Sequence, residues 1–216
     1  MEPEELEFPA AVRRAKEYDD GYIMGGCYRN GEWADVDLTE LELKGTRFVH
    51  CRFERCNWSR TSFYGCSFER CEFVECQFGE SYWRKTVLDD CKGDGCAFRG
   101  ARVKECRWSD DLLRCTNWNE SVWEHVALER CDLRQSALCS ARWKGVQLKK
   151  VDLTGCELFR TALKGMDLTD CDLDGITLSE GCGELRGAKI SLPQAAVVAQ
   201  ILGIQVESLE GEERKA

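Results

Sequence analysis

Apolar side chains recur every five residues through most of the chain. From Trp33, steps of five residues reach Leu178 in thirty positions, and twenty-nine of these are Leu, Phe, Trp or Val, with Gly93 the exception. All seven Trp fall on this series, so we expect all of them to point into a core. Because a helix would scatter such a series around its axis and a flat strand would alternate it between faces, neither element buries it. The pattern therefore predicts a solenoid, in which the chain turns by a constant amount every five residues and stacks short units.

The residues that precede each apolar position complete the unit. Two positions before it stands Cys, Thr, Ser, Ala or Val in twenty-five of the thirty units. The residue directly before it is often a short polar one that can bond to the local backbone at a turn. These polar residues are Asp37, Asn57, Asn117, Asp132, Asp152, Asp167 and Asp172. The predicted unit is small–polar–large, followed by two variable residues.

Units such as Cys131-Asp132-Leu133 and Cys171-Asp172-Leu173 resemble the consensus of the pentapeptide repeat family, Ala-Asp/Asn-Leu-x-x. The spacing alone indicates a corner every five residues. The resemblance implies more: an all-β fold, a right-handed quadrilateral β-helix with four units per coil. In that fold, residues twenty apart stack on one another. We assign residues 33–190 to this β-helix.

Both ends of the chain leave the five-residue series, and an open solenoid end needs a cap. Residues 1–32 form a predicted N-terminal cap segment, with a helix over Pro9–Tyr18. Residues 191–216 form a predicted C-terminal cap, with a short helix, a strand over Ile204–Val206 and a polar tail. The helix carries an apolar stripe. The stripe consists of Val197, Val198, Ile201 and Leu202.

The C-terminal segment that begins Ser191-Leu192-Pro193-Gln194 also resembles the ending of pentapeptide repeat proteins that protect DNA gyrase from topoisomerase poisons. These include the quinolone-, microcin- and albicidin-resistance types. The resemblance implies that this segment closes the last coil and joins two chains, so we expect a homodimer through the apolar stripe. It also implies DNA gyrase or another topoisomerase as the partner.

Composition and charge restrict the class of protein. The net charge of −9 disfavours plain nucleic-acid binding, and the sequence contains neither a signal peptide nor a run long enough to span a membrane. We therefore expect a cytoplasmic protein. The two His residues, His50 and His125, occupy the outer last position of a unit, and no phosphate-binding or dinucleotide motif occurs. We expect no enzymatic activity, no cofactor and no catalytic residues.

Fifteen cysteines leave two interpretations open. Eleven occupy the small position of the unit: Cys51, Cys56, Cys66, Cys71, Cys76, Cys91, Cys96, Cys106, Cys131, Cys156 and Cys171. A metal or redox sensor is the less favoured interpretation, because no CxxC pair exists and a one-sided ladder cannot surround a tetrahedral metal. The favoured interpretation is reduced Cys serving as a small core residue, with no metal bound.

Two irregular units and an acidic region suggest where a partner binds. Gly93 and Gly95 in one unit, and Asp111 in place of a small buried residue, lie on one predicted face and could form a notch. The acidic residues of the C-terminal coils are predicted to make a DNA-like surface, with the first three below in one column. They are Asp132, Asp152, Asp172, Asp167 and Asp174. The leading hypothesis is a DNA-mimicking interaction protein acting on gyrase, and the alternative is a general protein-binding scaffold that uses the notch.

Overall fold

The structure is a computed structural model that describes residues 7–18 and 21–207, so residues 1–6 of the predicted N-terminal cap and 208–216 of the predicted tail lie outside it. Three-residue strands build three parallel sheets in this part of the chain. The first sheet contains β1 (Tyr22–Met24), β4 (Glu42–Lys44), β7 (Ser62–Tyr64), β10 (Tyr82–Arg84), β12 (Arg102–Lys104), β14 (Val122–Glu124) and β16 (Arg142–Lys144). The second contains β2 (Cys27–Arg29), β5 (Arg47–Val49), β8 (Ser67–Glu69), β11 (Val87–Asp89), β13 (Arg107–Ser109), β15 (Ala127–Glu129) and β17 (Gln147–Lys149). The third contains β3 (Glu32–Ala34), β6 (Arg52–Glu54) and β9 (Glu72–Val74).

Every strand pairs with the strand that lies twenty residues away. Tyr22 pairs with Glu42, for example, and Trp123 with Trp143. The third side continues past β9 through single bridging pairs as far as Asp152 and Asp172, and a fourth side is formed by such pairs alone. Four units therefore make one coil, which confirms the quadrilateral β-helix. We call the four sides face A (first sheet), face B (second sheet), face C (third sheet and its continuation) and face D.

The corner of each unit has a defined backbone conformation. The last residue of nearly every unit has a positive φ, as in Glu40 at 60° and Arg60 at 58°. The left-handed region costs a non-glycine residue roughly 1–2 kcal/mol, so the stacked coils must stabilise it. The predicted polar position bonds its turn: the Asn57 side chain accepts from the Ser59 N–H at 3.0 Å, and Asp152 accepts from Thr154 at 2.9 Å.

The core is a stack of rings and leucines inside the coils. Parallel rings lie one coil apart, as in Phe78–Phe98 at 4.7 Å and Phe98–Trp118 at 3.9 Å between centroids. Five of the seven Trp are fully buried. Trp33 and Trp143 are only partly buried, which corrects the expectation that all seven lie inside. Trp143 is partly exposed because β16 is the last strand of its sheet.

Helix α1 (Phe8–Glu17) covers the first coil. Its Phe8 side chain is fully buried, and the ring lies 4.9 Å from Trp33 and 5.0 Å from Phe48. The helix was predicted, but the β-helix begins at Tyr22, inside the predicted cap segment and ahead of Trp33. The earlier start has a simple reason: Ile23, Tyr28 and Trp33 continue the same five-residue series toward the N-terminus.

Helix α2 (Leu192–Ile201) closes the other end. Ser191 and Gln194 form a reciprocal capping box, and the Gln194 amide also donates to the carbonyls of Leu168 and Cys171, both at 2.7 Å. These bonds satisfy backbone groups that the last coil would otherwise leave free. The strand predicted over Ile204–Val206 does not form, since residues 204–207 pair with no strand in the described part of the chain.

Candidate functional site

The side chain at the small position of the unit forms hydrogen bonds in addition to filling space in the core. All eleven cysteines predicted there are buried and free of disulfides. Nine of these thiols donate to the carbonyl of the residue twenty-three positions earlier, as from Cys66 to Leu43 at 3.4 Å, and Thr61 does the same to Leu38 at 2.5 Å. These small side chains thus tie one coil to the next. Sequence reasoning found the burial but missed this bond, which explains why Cys, Thr and Ser share the position.

Burial suppresses the reactivity of several of these thiols, whereas a hydrogen bond with Cys76 lowers the pKa of Cys56 to about 7. Burial raises the pKa of Cys96 to about 12 and that of Cys106 to about 11, so both remain protonated at neutral pH. Within residues 7–18 and 21–207, no group of three or more His, Cys, Asp or Glu side chains is arranged to hold a metal ion. The Cys columns are part of the core.

The predicted notch is filled. Gly93 is buried, and a Cβ placed on it would lie 3.0 Å from Leu113 Cδ2, so the leucine of the next coil occupies the space that the missing side chain leaves. Gly95 is an exposed corner residue with φ 73°. Asp111 is fully buried, and its Oδ1 accepts from the Cys91 N–H at 2.8 Å. The sequence irregularities are accommodated without a break in the coil.

Burial, with the nearby carboxylates of Asp89, Asp90 and Asp110 adding to it, raises the pKa of Asp111 well above its ordinary value. No cation pairs with the side chain in the described structure; besides the Cys91 N–H, only the Cys131 thiol approaches it, at 4.0 Å from Oδ2. The raised pKa favours the protonated, neutral form of the Asp111 carboxyl in the folded protein. We therefore expect Asp111 to affect the free energy of unfolding.

The predicted acidic column exists on face C, but its first part is neutralised. Asp132, Asp152 and Asp172 stack as bridging pairs one coil apart. Arg134 lies 2.7 Å from the Asp132 carboxylate and 3.5 Å from that of Asp152, and Arg114 approaches Asp132 at 3.9 Å. These ion pairs were missed because only the stacking of coils brings Arg114 beside Asp132 and Arg134 beside Asp152.

The last part of the column remains acidic. Asp172 and Asp174 are exposed, and no cation pairs with either within the described residues. Asp167, one face away, pairs with Lys189 at 2.7 Å, and this bond lowers its pKa to about 2. Of the five predicted acidic residues, the structure leaves two as free carboxylates at the C-terminal end of face C.

A groove separates these carboxylates from α2. Its volume is about 400 Å³. The lining residues include Asp170, Asp172, Asp174, Pro193, Gln194 and Val197. The groove therefore combines an acidic wall from the last coil with an apolar wall from the cap helix.

The cap helix turns much of its apolar stripe toward solvent. Val198 packs against the core, whereas Ile201 and Leu202 are 36% and 48% exposed, and Leu192 is 87% exposed. Val197 is partly buried beside the groove. Exposed apolar side chains on a helix that already caps the coil are typical of a protein interface.

Sequence reasoning also missed Glu184, a buried carboxylate that anchors the chain where the five-residue phase changes. It accepts from the Arg160 N–H at 2.8 Å and from the Ser179 N–H at 3.2 Å. Burial acts to raise its pKa, but these hydrogen bonds outweigh burial and lower it. No pattern in the sequence marks Glu184, because it lies after the regular units end.

Comparison with known proteins agrees with this architecture. A family model described as a pentapeptide repeat region matches residues 61–138, and one described as pentapeptide repeats in eight copies matches residues 42–76 and 128–165. No curated protein sequence matches the chain significantly. No helix in residues 7–18 and 21–207 has both the length and the apolar character needed to cross a bilayer.

The chain is similar to several solved structures. A trypsin-treated form of QnrB1, described as a plasmid-mediated fluoroquinolone resistance protein, has a TM-score of 0.51 at 23% identity, over 87% of this chain and 98% of its own. Full-length QnrB1 has a TM-score of 0.45 at 22% identity, over 85% and 100%. HetL of Nostoc sp. strain PCC 7120 has a TM-score of 0.38 at 14% identity, over 89% and 99%. With coils of four five-residue units and family models matching throughout residues 42–165, the chain belongs to the pentapeptide repeat family.

Proposed function

We propose that this protein is a non-enzymatic, DNA-mimicking interaction protein that binds a DNA gyrase-type topoisomerase and protects it from topoisomerase poisons. The observation that carries the proposal is the pair of free carboxylates, Asp172 and Asp174, one coil beyond Asp152 on a straight face. Carboxylates on a rigid rod resemble the charged edge of a duplex, and they favour a basic protein surface such as a DNA-binding groove.

The shared fold with QnrB1, a fluoroquinolone resistance protein, supports the choice of partner. We confine the proposed mimicking surface to the end of face C, because Arg134 neutralises Asp132 and Asp152. A partner bound at this end of face C would contact both the acidic wall of the groove and the apolar side chains of α2.

We also propose that the protein is a homodimer joined through α2. The exposed side chains of Leu192, Ile201 and Leu202 would be buried about a two-fold axis, which is the commonest symmetry of small oligomers. A dimer of this kind places the two acidic ends beside each other at the centre of a longer rod. The mimicking surface would then be shared by both chains.

The test is a binding measurement between immobilised gyrase and this protein, with the double variant Asp172→Lys, Asp174→Lys. Both side chains are exposed and outside the core, so the fold should be retained while affinity falls. The loss should shrink near 1 M salt, where a Debye length of about 3 Å already suppresses the wild-type attraction.

The matched control is Glu75→Lys, Glu80→Lys, which makes the same charge change at exposed sites far from the C-terminal end. Its affinity should stay near that of the wild type. Equal loss in both variants would reduce the effect to net charge, and unchanged binding of the Asp172/Asp174 variant would remove the mimicry proposal. In that case a scaffold with another partner would remain.

A further inference from the structure

Charge is distributed unequally between opposite sides of the rod. Because the four faces follow one another around each coil, face A lies opposite face C. We counted the charged residues in the strands of face A together with the corner residue that follows each strand. This set contains seven cations and three acids. The cations are Lys44, Arg84, Lys85, Arg102, Lys104, Arg142 and Lys144, and the acids are Glu42, Glu105 and Glu124. Face C, counted in the same way from 32–35 to 172–175, has five cations and ten acids. Face A is therefore basic, although the net charge of the whole chain is −9.

The acids of face A are already paired. Lys44 lies 2.9 Å from Glu42, Lys85 lies 3.8 Å from Glu105, and Lys104 lies 3.1 Å from Glu124. Four cations remain without an ion pair among the described residues, and all four are exposed. They are Arg84, Arg102, Arg142 and Lys144. Because none of the four makes an ion pair, their charge is available to a partner, although Lys144 also lies beside Glu124.

These cations stand in two columns set by the strand register. One column runs Tyr82, Arg102, Val122, Arg142, and the other runs Tyr64, Arg84, Lys104, Glu124, Lys144. A groove of about 520 Å³ lies along both columns, from Tyr82 to Lys144. The Tyr64 and Tyr82 rings stand at its N-terminal end, with centroids 5.5 Å apart. Basic side chains along a track, with aromatic rings beside them, are the combination that binds single-stranded nucleic acid.

We propose that face A is a second binding surface, separate from the acidic end, and that it takes the phosphate backbone of a single nucleic-acid strand. Arginine suits phosphate because its guanidinium donates two parallel hydrogen bonds, and two of the three free arginines line the groove. The tyrosines offer faces on which unpaired bases can stack.

Another copy of this chain is the main alternative occupant, since its face C is acidic. That face carries mixed charges, and Arg114 and Arg134 neutralise its central carboxylates. A nucleic-acid strand presents one uncompensated charge per nucleotide and also gains from counterion release. The density of unpaired charge therefore favours the strand.

The test is fluorescence anisotropy with a labelled oligothymidine, which has no secondary structure, titrated at several salt concentrations. For single strands the slope of log K against log salt is about −0.7 per phosphate neutralised, so four free cations predict a slope of about −2.8. The double variant Arg102→Gln, Arg142→Gln should bind more weakly and lower the slope to about −1.4. The control is Arg47→Gln, Arg107→Gln, which removes two exposed arginines from the equivalent strand position on face B.

The proposal predicts that the control retains the wild-type slope and that a duplex binds more weakly than the single strand, because its bases cannot stack on Tyr64 and Tyr82. It is overturned if the wild type does not bind the oligothymidine, if both double variants lose the same affinity, or if the duplex binds as tightly as the single strand. Displacement of the strand by an equal charge of polyglutamate would assign the surface to acidic protein instead. Neither the fold nor the gyrase test depends on these outcomes, because Asp172 and Asp174 lie on the opposite face.

Discussion

Replacement of Asp111 by asparagine should stabilise the protein, and by an amount that grows with pH. The side chain is fully buried, accepts one backbone bond from Cys91 and has no cationic partner among the described residues. Asparagine has nearly the same shape and can keep that bond through its amide oxygen. The comparison therefore isolates the ability of the carboxyl to ionise.

The sign follows from proton linkage. Burial raises the pKa of Asp111 in the folded protein above that of the unfolded chain, so over an interval of pH the folded state holds a proton that the unfolded state has released. In that interval the free energy of unfolding falls by about 1.4 kcal/mol for each pH unit. The favourable contribution is complete below the unfolded pKa, near 3.9, and is lost progressively as pH rises toward the folded pKa.

The assay is urea unfolding followed by tryptophan emission, for wild type and Asp111→Asn between about pH 5 and pH 8. The difference in unfolding free energy should increase in favour of the variant by about 1.4 kcal/mol per pH unit until it levels off. Asp35→Asn is the control, because Asp35 is exposed, lies several coils away, and has a pKa that its hydrogen bond with Arg55 lowers. A difference between wild type and Asp111→Asn that is constant over this range would refute the assignment of a neutral buried acid.

Two further predictions concern the core and the assembly. Leu113→Ala should lower the free energy of unfolding more than Leu153→Ala, a change in the same column, because Gly93 one coil earlier enlarges the cavity. The loss should lie near the upper end of the roughly 2–5 kcal/mol range for such changes. Equal denaturation midpoints for the two variants would contradict this and show that the neighbouring coils relax into the space. Ile201→Asp should convert a dimer into a monomer in light scattering, since it places a charge in the exposed stripe of α2. A wild-type protein that is already monomeric at micromolar concentration would contradict the second prediction.

The architecture could be predicted from the sequence because one local rule repeats. In each unit the apolar position identifies the residue that points inward. Each unit from Trp33 to Leu178 can therefore be assigned independently of the units before it. The number of units per coil came from the family resemblance, since a corner every five residues does not by itself fix how many corners close a turn. The end of the repeat was harder, because Glu184 and Gln194 act through bonds to residues far apart in sequence.

The site could be predicted only in part, because charges act between coils. The acids of face C are visible in the sequence, but their neutralisation depends on Arg114 and Arg134 from neighbouring units. Likewise, the basic face A emerges only when residues twenty apart are placed in one column. The identity of the partner depends on the outward-facing side chains. The five-residue repeat determines the fold but does not constrain those positions.

The most direct test of the proposed function is a supercoiling assay with DNA gyrase and a fluoroquinolone, with and without this protein. We expect the wild type to restore supercoiling in the presence of the drug, and the Asp172→Lys, Asp174→Lys variant to restore less of it. The Glu75→Lys, Glu80→Lys control should protect as well as the wild type. No protection by the folded wild type at any protein concentration tested would contradict the proposed function.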